Sequence, residues 1–233
     1  MTRSSTASEI RVGPRKQLEE TKRAVLETVQ EMDRIGLTAG TAGNVSARTR
    51  AGEIVMTPTA MPYADMSLSD LAVTDLDGNL VEKTASAAPT TESDLHLACL
   101  RRHPEIGAVV HTHPVFATMF AVNQMPIPCV IEEFEYYVGG DVQVADYHRT
   151  GTAALGEAVA ALLSDRAGVL MANHGLVVVA ANPKEALELT VLIERAAQII
   201  AGARQLGSPK PLPDAIRREF AGAYLERRHA AKR

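Results

Sequence analysis

Hydrophobic residues recur along the chain at two spacings, one typical of helices and one typical of strands. From about Arg15 they repeat every three, four or seven residues between charged positions, which predicts a long amphipathic helix as far as Ile35. The segment "GLTAGTAGN" then breaks the helix with its glycines. Shorter runs predict strands paired by tight turns, "VSART" with "EIVMTPT" and "LAVTD" with "NLVEK".

The second half of the chain alternates helical and strand patterns. "PTTESDLHLACLRRH" predicts a helix capped by Thr90 or Thr91, "GAVVHTH" a buried strand, and Pro114 the start of another helix. "PIPCVIEEFEYYVGGDVQVADYH" predicts a loop with short strands. Further helices are predicted at "GTAALGEAVAALLSD", from the capping sequence at Asn182 to about Leu206, and at "AIRREFAGAYLERR". Between them, "AGVLMANHGLVVVAA" predicts two strands joined by a turn.

Tight turns between neighbouring strands favour an antiparallel sheet, and the helices are numerous enough to cover both of its faces. We therefore predict an α/β fold, a single three-layer α/β/α domain around a central, mainly antiparallel sheet. The predicted boundaries are a flexible leader at 1–14, the domain at 15–207, and a C-terminal link and helix at 208–233.

Composition limits the classes of function that need to be considered. Hydrophobic residues make up 46% and charged residues 22% of the 233 residues, as in ordinary soluble proteins. A net charge of −4 provides no global attraction for nucleic acid or an anionic membrane, and no apolar run is long enough to span a bilayer. Cys99 and Cys129 lack metal-ligand spacing, so we predict buried, inert thiols and a reducing, cytoplasmic location.

The sequence "HTHP" places two histidines where they can act together. His111 and His113 are two residues apart on a predicted strand, so their side chains project from the same face. His174 occupies a predicted turn between two apolar strands, and Glu92 begins the helix that leads to the His111 strand. Three neutral imidazoles leave coordination positions open, as in catalytic zinc sites. Spacing alone leaves open the alternative of three unrelated structural histidines.

Small polar residues cluster in three further segments. "TAGNVS", "TPTA" and "PTTE" are rich in hydroxyls and free backbone NH groups, and the last of them leads into a helix N-terminus. Such a set can hold a phosphate or carboxylate, although ordinary turn and capping chemistry is the alternative. The stretch "IEEFEYYVGG" at 131–140 is either part of a cleft, a polar surface loop or a subunit interface.

Taken in order, "GTAGNVSAR", "TPTAMPYADM", "PTTESDLHLACLRRHPEIGAVVHTHP" and "NHGLVVVA" resemble the class II aldolase/adducin family. The resemblance extends from about Leu18 to about Leu206. It implies the α/β fold predicted above, one Zn²⁺ per subunit, and a cyclic homotetramer with active sites at subunit interfaces. It also implies a small-molecule sugar phosphate as the partner.

Carried over by position, the resemblance implies that His111, His113 and His174 bind the metal and that Glu92 is the catalytic acid/base. The residues that fall where the family holds the substrate phosphate are Asn44, Thr59, Ala60, Thr90 and Thr91.

Three departures from the family pattern affect the expected site. Ala60 replaces a usual glycine, and Thr91 stands where serine is common. The loop tyrosine of the aldolases is not matched, and Glu132 or Glu133 falls near its position. Two further candidates are Glu135, which aligns with the acid of the family's epimerases, and Tyr224, which loosely matches a mobile C-terminal tyrosine.

The activity implied by the resemblance is zinc-dependent cleavage of a small ketose 1-phosphate, such as L-fuculose 1-phosphate, into dihydroxyacetone phosphate and an aldehyde. The alternatives are a metal-dependent decarboxylase, a sugar-phosphate 4-epimerase and, for relatives that keep the fold without a metal, an adducin-like interaction module.

Overall fold

The structure is a computed structural model that describes residues 13–81 and 88–230. Its helices are α1 Pro14–Arg34, α2 Ser93–Arg102, α3 Val115–Val122, α4 Glu132–Val138, α5 Ala153–Ala161, α6 Pro183–Leu206 and α7 Asp214–Ala230. Its strands are β1 Asn44–Arg48, β2 Ile54–Met56, β3 Ala72–Thr74, β4 Ala108–Thr112, β5 Gln143–Ala145, β6 Gly168–Met171 and β7 Gly175–Ala180. The predicted leader lies outside the described residues except for 13 and 14, and so does the end of "NLVEK".

Within the described residues the strands form one seven-stranded sheet in the order β3-β2-β1-β4-β7-β6-β5. All neighbouring pairs are antiparallel except β5 and β6. One face packs against α1, α3, α4, α6 and α7, and the other packs against α2 and α5. The prediction of a three-layer α/β/α fold with a mainly antiparallel sheet is therefore confirmed.

The register of the sheet brings chain-distant residues to one edge. On β4 and β7, Thr112 pairs with Leu176, and on β6 and β7, Met171 pairs with Gly175. The residue after the end of β4 therefore lies beside the turn that precedes β7. On the other side of β4, Asn44 of β1 pairs with His111.

Two local predictions were wrong. Residues 132–138 form α4 and not a loop, because Phe134 and Val138 lie one turn apart and are both buried, and Gly139 ends the helix with φ 92°. The N-cap of α2 is Glu92, because the hydroxyl of Thr90 instead accepts a bond from the Glu92 NH in the preceding turn.

The capping sequence of α6 behaves as predicted. The Asn182 side chain accepts a hydrogen bond from the Glu185 NH at 3.0 Å, and the helix runs to Leu206. Both cysteines are free and buried. Among the described helices, none is long and apolar enough to cross a membrane. The proposed division at residue 207 stays a prediction.

Candidate metal centre and active site

Three histidines from two sheet segments meet at the edge where β4 ends and β7 begins. The ring centroids of His111, His113 and His174 lie 4.7 to 4.9 Å apart. One ligand nitrogen from each ring lies within 4.8 Å of the others, and the Nε2 atoms of His111 and His113 are separated by 3.0 Å. The structure thus brings together the three residues predicted as metal ligands.

Hydrogen bonding and burial prepare these rings to act as neutral ligands. The His111 Nδ1–H donates to the Leu176 carbonyl at 3.0 Å, which leaves the Nε2 lone pair directed at the cluster. Burial lowers the pKa of His111 to about 4. Burial also lowers the pKa values of His113 and His174, so all three rings are neutral at pH 7. A neutral imidazole is the form that binds a divalent metal.

Close backbone approach explains the glycine that follows His174. A Cβ atom on Gly175 would lie 2.6 Å from the His113 ring carbon Cδ2 and 2.6 Å from the Thr112 carbonyl oxygen. The preceding turn contains Asn173 with φ 57°, a left-handed conformation that asparagine tolerates well. The "NHG" sequence therefore permits a turn tight enough to set His174 against the other two rings.

Glu92 is the carboxylate that reaches this cluster. Its Oε2 lies 3.3 Å from His111 Nε2, and its Oε1 lies 3.7 Å from His174 Nε2. Oε2 accepts a hydrogen bond from Asn44 Nδ2 at 2.8 Å, whereas the buried Oε1 has no hydrogen-bond partner among the described residues. An unpartnered buried carboxylate oxygen 3.7 Å from His174 Nε2 fits a site that holds a cation and a substrate.

The electrostatic setting keeps Glu92 ionised. Burial raises the pKa of Glu92, but His111, the Asn44 amide and His174 lower it by more, so the pKa lies below its ordinary value. The carboxylate is thus charged at neutral pH and can accept a proton.

The polar segments predicted to hold a phosphate lie next to one another. An isolated bridge joins Pro58 to Pro89, and the Thr90 NH donates to the Thr57 carbonyl at 3.0 Å. Thr59 and Thr91 are exposed on this surface, while Thr90 is buried. Ala60 has φ 53°, a left-handed conformation in which glycine is favoured. Asn44 is also buried nearby, with its side chain bonded to Glu92 and His96.

The candidate acids of α4 have different environments. Glu132 and Glu133 are exposed. Glu135 is buried and forms an ion pair with Arg217 of α7, with Arg217 Nε donating to Glu135 Oε2 at 3.0 Å. Tyr224 of α7 is also buried, and its ring packs so closely that a Cβ on Gly139 would lie 2.4 Å from it. Glu135 and Tyr224 therefore join α7 to the body of the domain in this structure.

Glu133 lines a cavity at the end of β7 opposite to the histidine cluster. This cavity has a volume of about 570 Å³ and also contacts Ala180, Arg228 and Tyr224. Ala180 pairs with Ala108, three residues from His111 along β4, or roughly 10 Å at the rise of a strand. The cavity lies beyond that point, so the histidine cluster and Glu133 occupy different regions of one chain.

Sequence reasoning missed two residues behind the site, His96 and Ser46. The available signal was the alternation in "NVSAR", where Asn44, Ser46 and Arg48 share one face of a strand whose neighbours are apolar. That face packs against α2. Its three side chains form hydrogen bonds with Glu92 at the N-cap, with the His96 ring and with the Leu100 carbonyl.

Comparison with known proteins adds an independent line of evidence. Residues 23–201 match the family described as the Class II Aldolase and Adducin N-terminal domain. A solved structure of L-fuculose 1-phosphate aldolase superposes with a TM-score of 0.83 and 30% identity, covering 88% of this chain and 96% of that one.

Several curated proteins are similar over most of their length. L-fuculose phosphate aldolase from Escherichia coli O6:H1 is 34% identical over 82% of this chain and 86% of its own. 5-deoxy-D-ribulose 1-phosphate aldolase from Bacillus thuringiensis serovar kurstaki is 33% identical over 84% and 92%. 3-oxo-tetronate 4-phosphate decarboxylase from Haemophilus influenzae is 32% identical over 70% and 79%.

Proposed function

Because the chain belongs to the class II aldolase and adducin family, we propose that it is a zinc-dependent aldolase acting on a small ketose 1-phosphate. The products would be dihydroxyacetone phosphate and a short aldehyde, as expected for L-fuculose 1-phosphate or a similar sugar. The proposal includes a cytoplasmic homotetramer whose active sites lie between subunits.

The observation that carries this proposal is the position of Glu92. Its ionised carboxylate lies 3.3 Å from His111 Nε2 and 3.7 Å from His174 Nε2, with Oε1 free of hydrogen bonds among the described residues. This arrangement supports a proton acceptor placed next to a metal-bound substrate.

The metal would be held by His111, His113 and His174, because their unprotonated nitrogens converge. Glu92 adds a negative charge beside them. When bound, a divalent ion such as Zn²⁺ supplies Lewis-acid stabilisation of negative charge on the ketose oxygens.

The residues of the chain would divide the remaining work. The substrate phosphate would be bound by Thr59, Ala60, Thr90 and Thr91, with Asn44 close by. The binding energy of the phosphate would then orient the reacting carbons. The ionised carboxylate of Glu132 or Glu133, from α4 of a neighbouring subunit, would act as the base that takes the proton from the hydroxyl that becomes the aldehyde.

As the carbon–carbon bond breaks, its electron pair remains on the dihydroxyacetone phosphate half. Glu92 would deliver to that carbon a proton that it takes up from solvent, and the proton held by Glu132 or Glu133 would return to solvent, so the net number of protons is unchanged.

A metal-dependent decarboxylase is the second candidate. It is favoured by the similarity to 3-oxo-tetronate 4-phosphate decarboxylase and by the extra methyl group of Ala60 in the phosphate segment. The 4-epimerase is less favoured, because Glu135, the acid that aligns with it, is already paired with Arg217. An adducin-like module without a metal would have no use for three converging imidazoles.

The test is incubation of the zinc-loaded protein with L-fuculose 1-phosphate, 5-deoxy-D-ribulose 1-phosphate and related ketose 1-phosphates. Dihydroxyacetone phosphate is measured by coupling its formation to a reductase. We expect product from at least one member of the panel. No product, together with carbon dioxide released from 3-oxo-tetronate 4-phosphate, would replace the aldolase by the decarboxylase.

A further inference from the structure

A continuous line of buried polar side chains extends from Glu92 into the layer between β1 and α2. The Asn44 amide connects Glu92 to His96, with Asn44 Oδ1 lying 2.5 Å from His96 Nε2. On its other side His96 Nδ1 lies 2.7 Å from Ser46 Oγ. Asn44 is 5% exposed, and Ser46 and His96 are both fully buried.

Chemistry determines the direction of every hydrogen bond in this line. A carboxylate only accepts, so the Asn44 group that faces Glu92 must be its NH₂ and the group that faces His96 must be its oxygen. That oxygen also only accepts, so His96 must carry its proton on Nε2 and accept on Nδ1 from the Ser46 hydroxyl. Burial lowers the pKa of His96 to about 3, which keeps the ring in this neutral form.

The reverse orientation of Asn44 would be unfavourable at both ends. It would place the Asn44 oxygen against the Glu92 carboxylate and its NH₂ group against the His96 Nε2–H. Two acceptors and two donors would then face each other in a buried layer, where unsatisfied polar groups are costly. The Glu92 carboxylate and the His96 Nε2–H group therefore hold Asn44 in one orientation from both sides.

We propose that His96 is a positioning residue that, through Asn44, holds Glu92 Oε2 in place so that Oε1 remains directed at the histidine cluster. The inference rests on the proposed function in so far as Glu92 is the acid/base, but the geometry that it predicts can be observed without any turnover. Ser46 completes the line by donating its hydroxyl hydrogen to His96 Nδ1.

Two substitutions at position 96 separate positioning from simple packing. His96→Gln places an amide NH₂ near the position of Nε2, so it can still donate to Asn44. His96→Asn can preserve only the Ser46 contact at the position of Nδ1. We expect kcat to fall about tenfold or more in His96→Asn and by less than about threefold in His96→Gln, with KM little changed in either.

His103, the C-cap residue of α2, provides a matched control on the same helix. It is also a buried histidine, and its Nε2–H donates to the Ala160 carbonyl at 2.7 Å, but it has no bond to Glu92 or Asn44. His103→Asn should lower the melting temperature while leaving kcat near that of the parent protein. If His96→Asn does not fold, Ser46→Ala serves in its place, with a smaller loss of kcat at unchanged KM expected.

Crystal structures of the two His96 variants supply the readout that is independent of activity. We expect Glu92 and Asn44 to keep their orientations in His96→Gln and to rotate in His96→Asn. Equal losses of kcat in both variants, or an unmoved Glu92 in His96→Asn, would overturn the positioning role. Failure of the parent protein to cleave any ketose 1-phosphate would instead count against the proposed function, and the crystallographic result would still decide the geometry.

Discussion

Glu92 is the residue on which the proposed chemistry depends. Glu92→Gln keeps the size of the side chain but removes its ability to exchange a proton, so kcat should fall by about 10²-fold or more. Metal content should stay near one ion per chain because the three histidines remain. Asp94→Asn is the matched control, since Asp94 is exposed in the first turn of the same helix. Equal turnover in Glu92→Gln and Asp94→Asn would remove Glu92 from the mechanism.

His96 gives a prediction about acid stability. Its pKa is about 3 in the folded protein against an ordinary value of 6.5, so the unfolded chain binds the proton more readily. The resulting stabilisation is complete above about pH 6.5 and is lost as the pH falls toward 3. Between about pH 7 and about pH 5.5 the free energy of unfolding should drop by about 1 kcal/mol more in the parent protein than in His96→Gln. Urea unfolding of the metal-free proteins measures this difference, and parallel pH profiles would contradict it.

At the level of elements, the turn between β6 and β7 sets the geometry of the metal centre. Gly175→Ala would force a Cβ to within 2.6 Å of both the His113 ring and the Thr112 carbonyl oxygen. We expect a loss of about 1–3 kcal/mol in unfolding free energy, together with weaker zinc binding. Gly202→Ala in α6 meets no atom within 4 Å and should be neutral or slightly stabilising. Calorimetry of both variants tests the contrast, and equal zinc affinity in Gly175→Ala and the parent protein would contradict it.

The elements differ in how far their sequences predicted them. The histidine strand, the β6–β7 turn and the Asn182 cap were predicted because each depends on local patterns. Helix α4 was missed because its seven residues carry three glutamates, and its burial comes from packing against α6 and α7, which no local pattern reveals. The hydrogen-bonded line from Asn44 through His96 to Ser46 was missed for the same reason, because it depends on the packing of β1 against α2.

At the scale of the whole molecule, the proposed mechanism requires Glu132 or Glu133 to reach a histidine cluster. In one chain the cavity beside Glu133 is lined by the end of β7 that lies away from the histidines, so a contribution from a neighbouring subunit is the arrangement that fits the proposed mechanism. Mixing subunits of Glu92→Gln with subunits of a Glu132→Gln/Glu133→Gln double variant should then restore activity. Random assembly would rebuild about a quarter of the sites with both wild-type groups. If the activity of the mixture is no greater than the sum of the activities of the two separate variants, a shared site is excluded.

The most direct test of the central claim is a zinc titration of the metal-free protein, with formation of dihydroxyacetone phosphate from a ketose 1-phosphate as the readout. We expect activity to be absent after chelation and to rise to a plateau at one ion per chain. His113→Ala should remain folded and inactive at every zinc concentration. Full cleavage activity in the chelated protein, or in His113→Ala, would contradict a metal-dependent aldolase built on His111, His113 and His174.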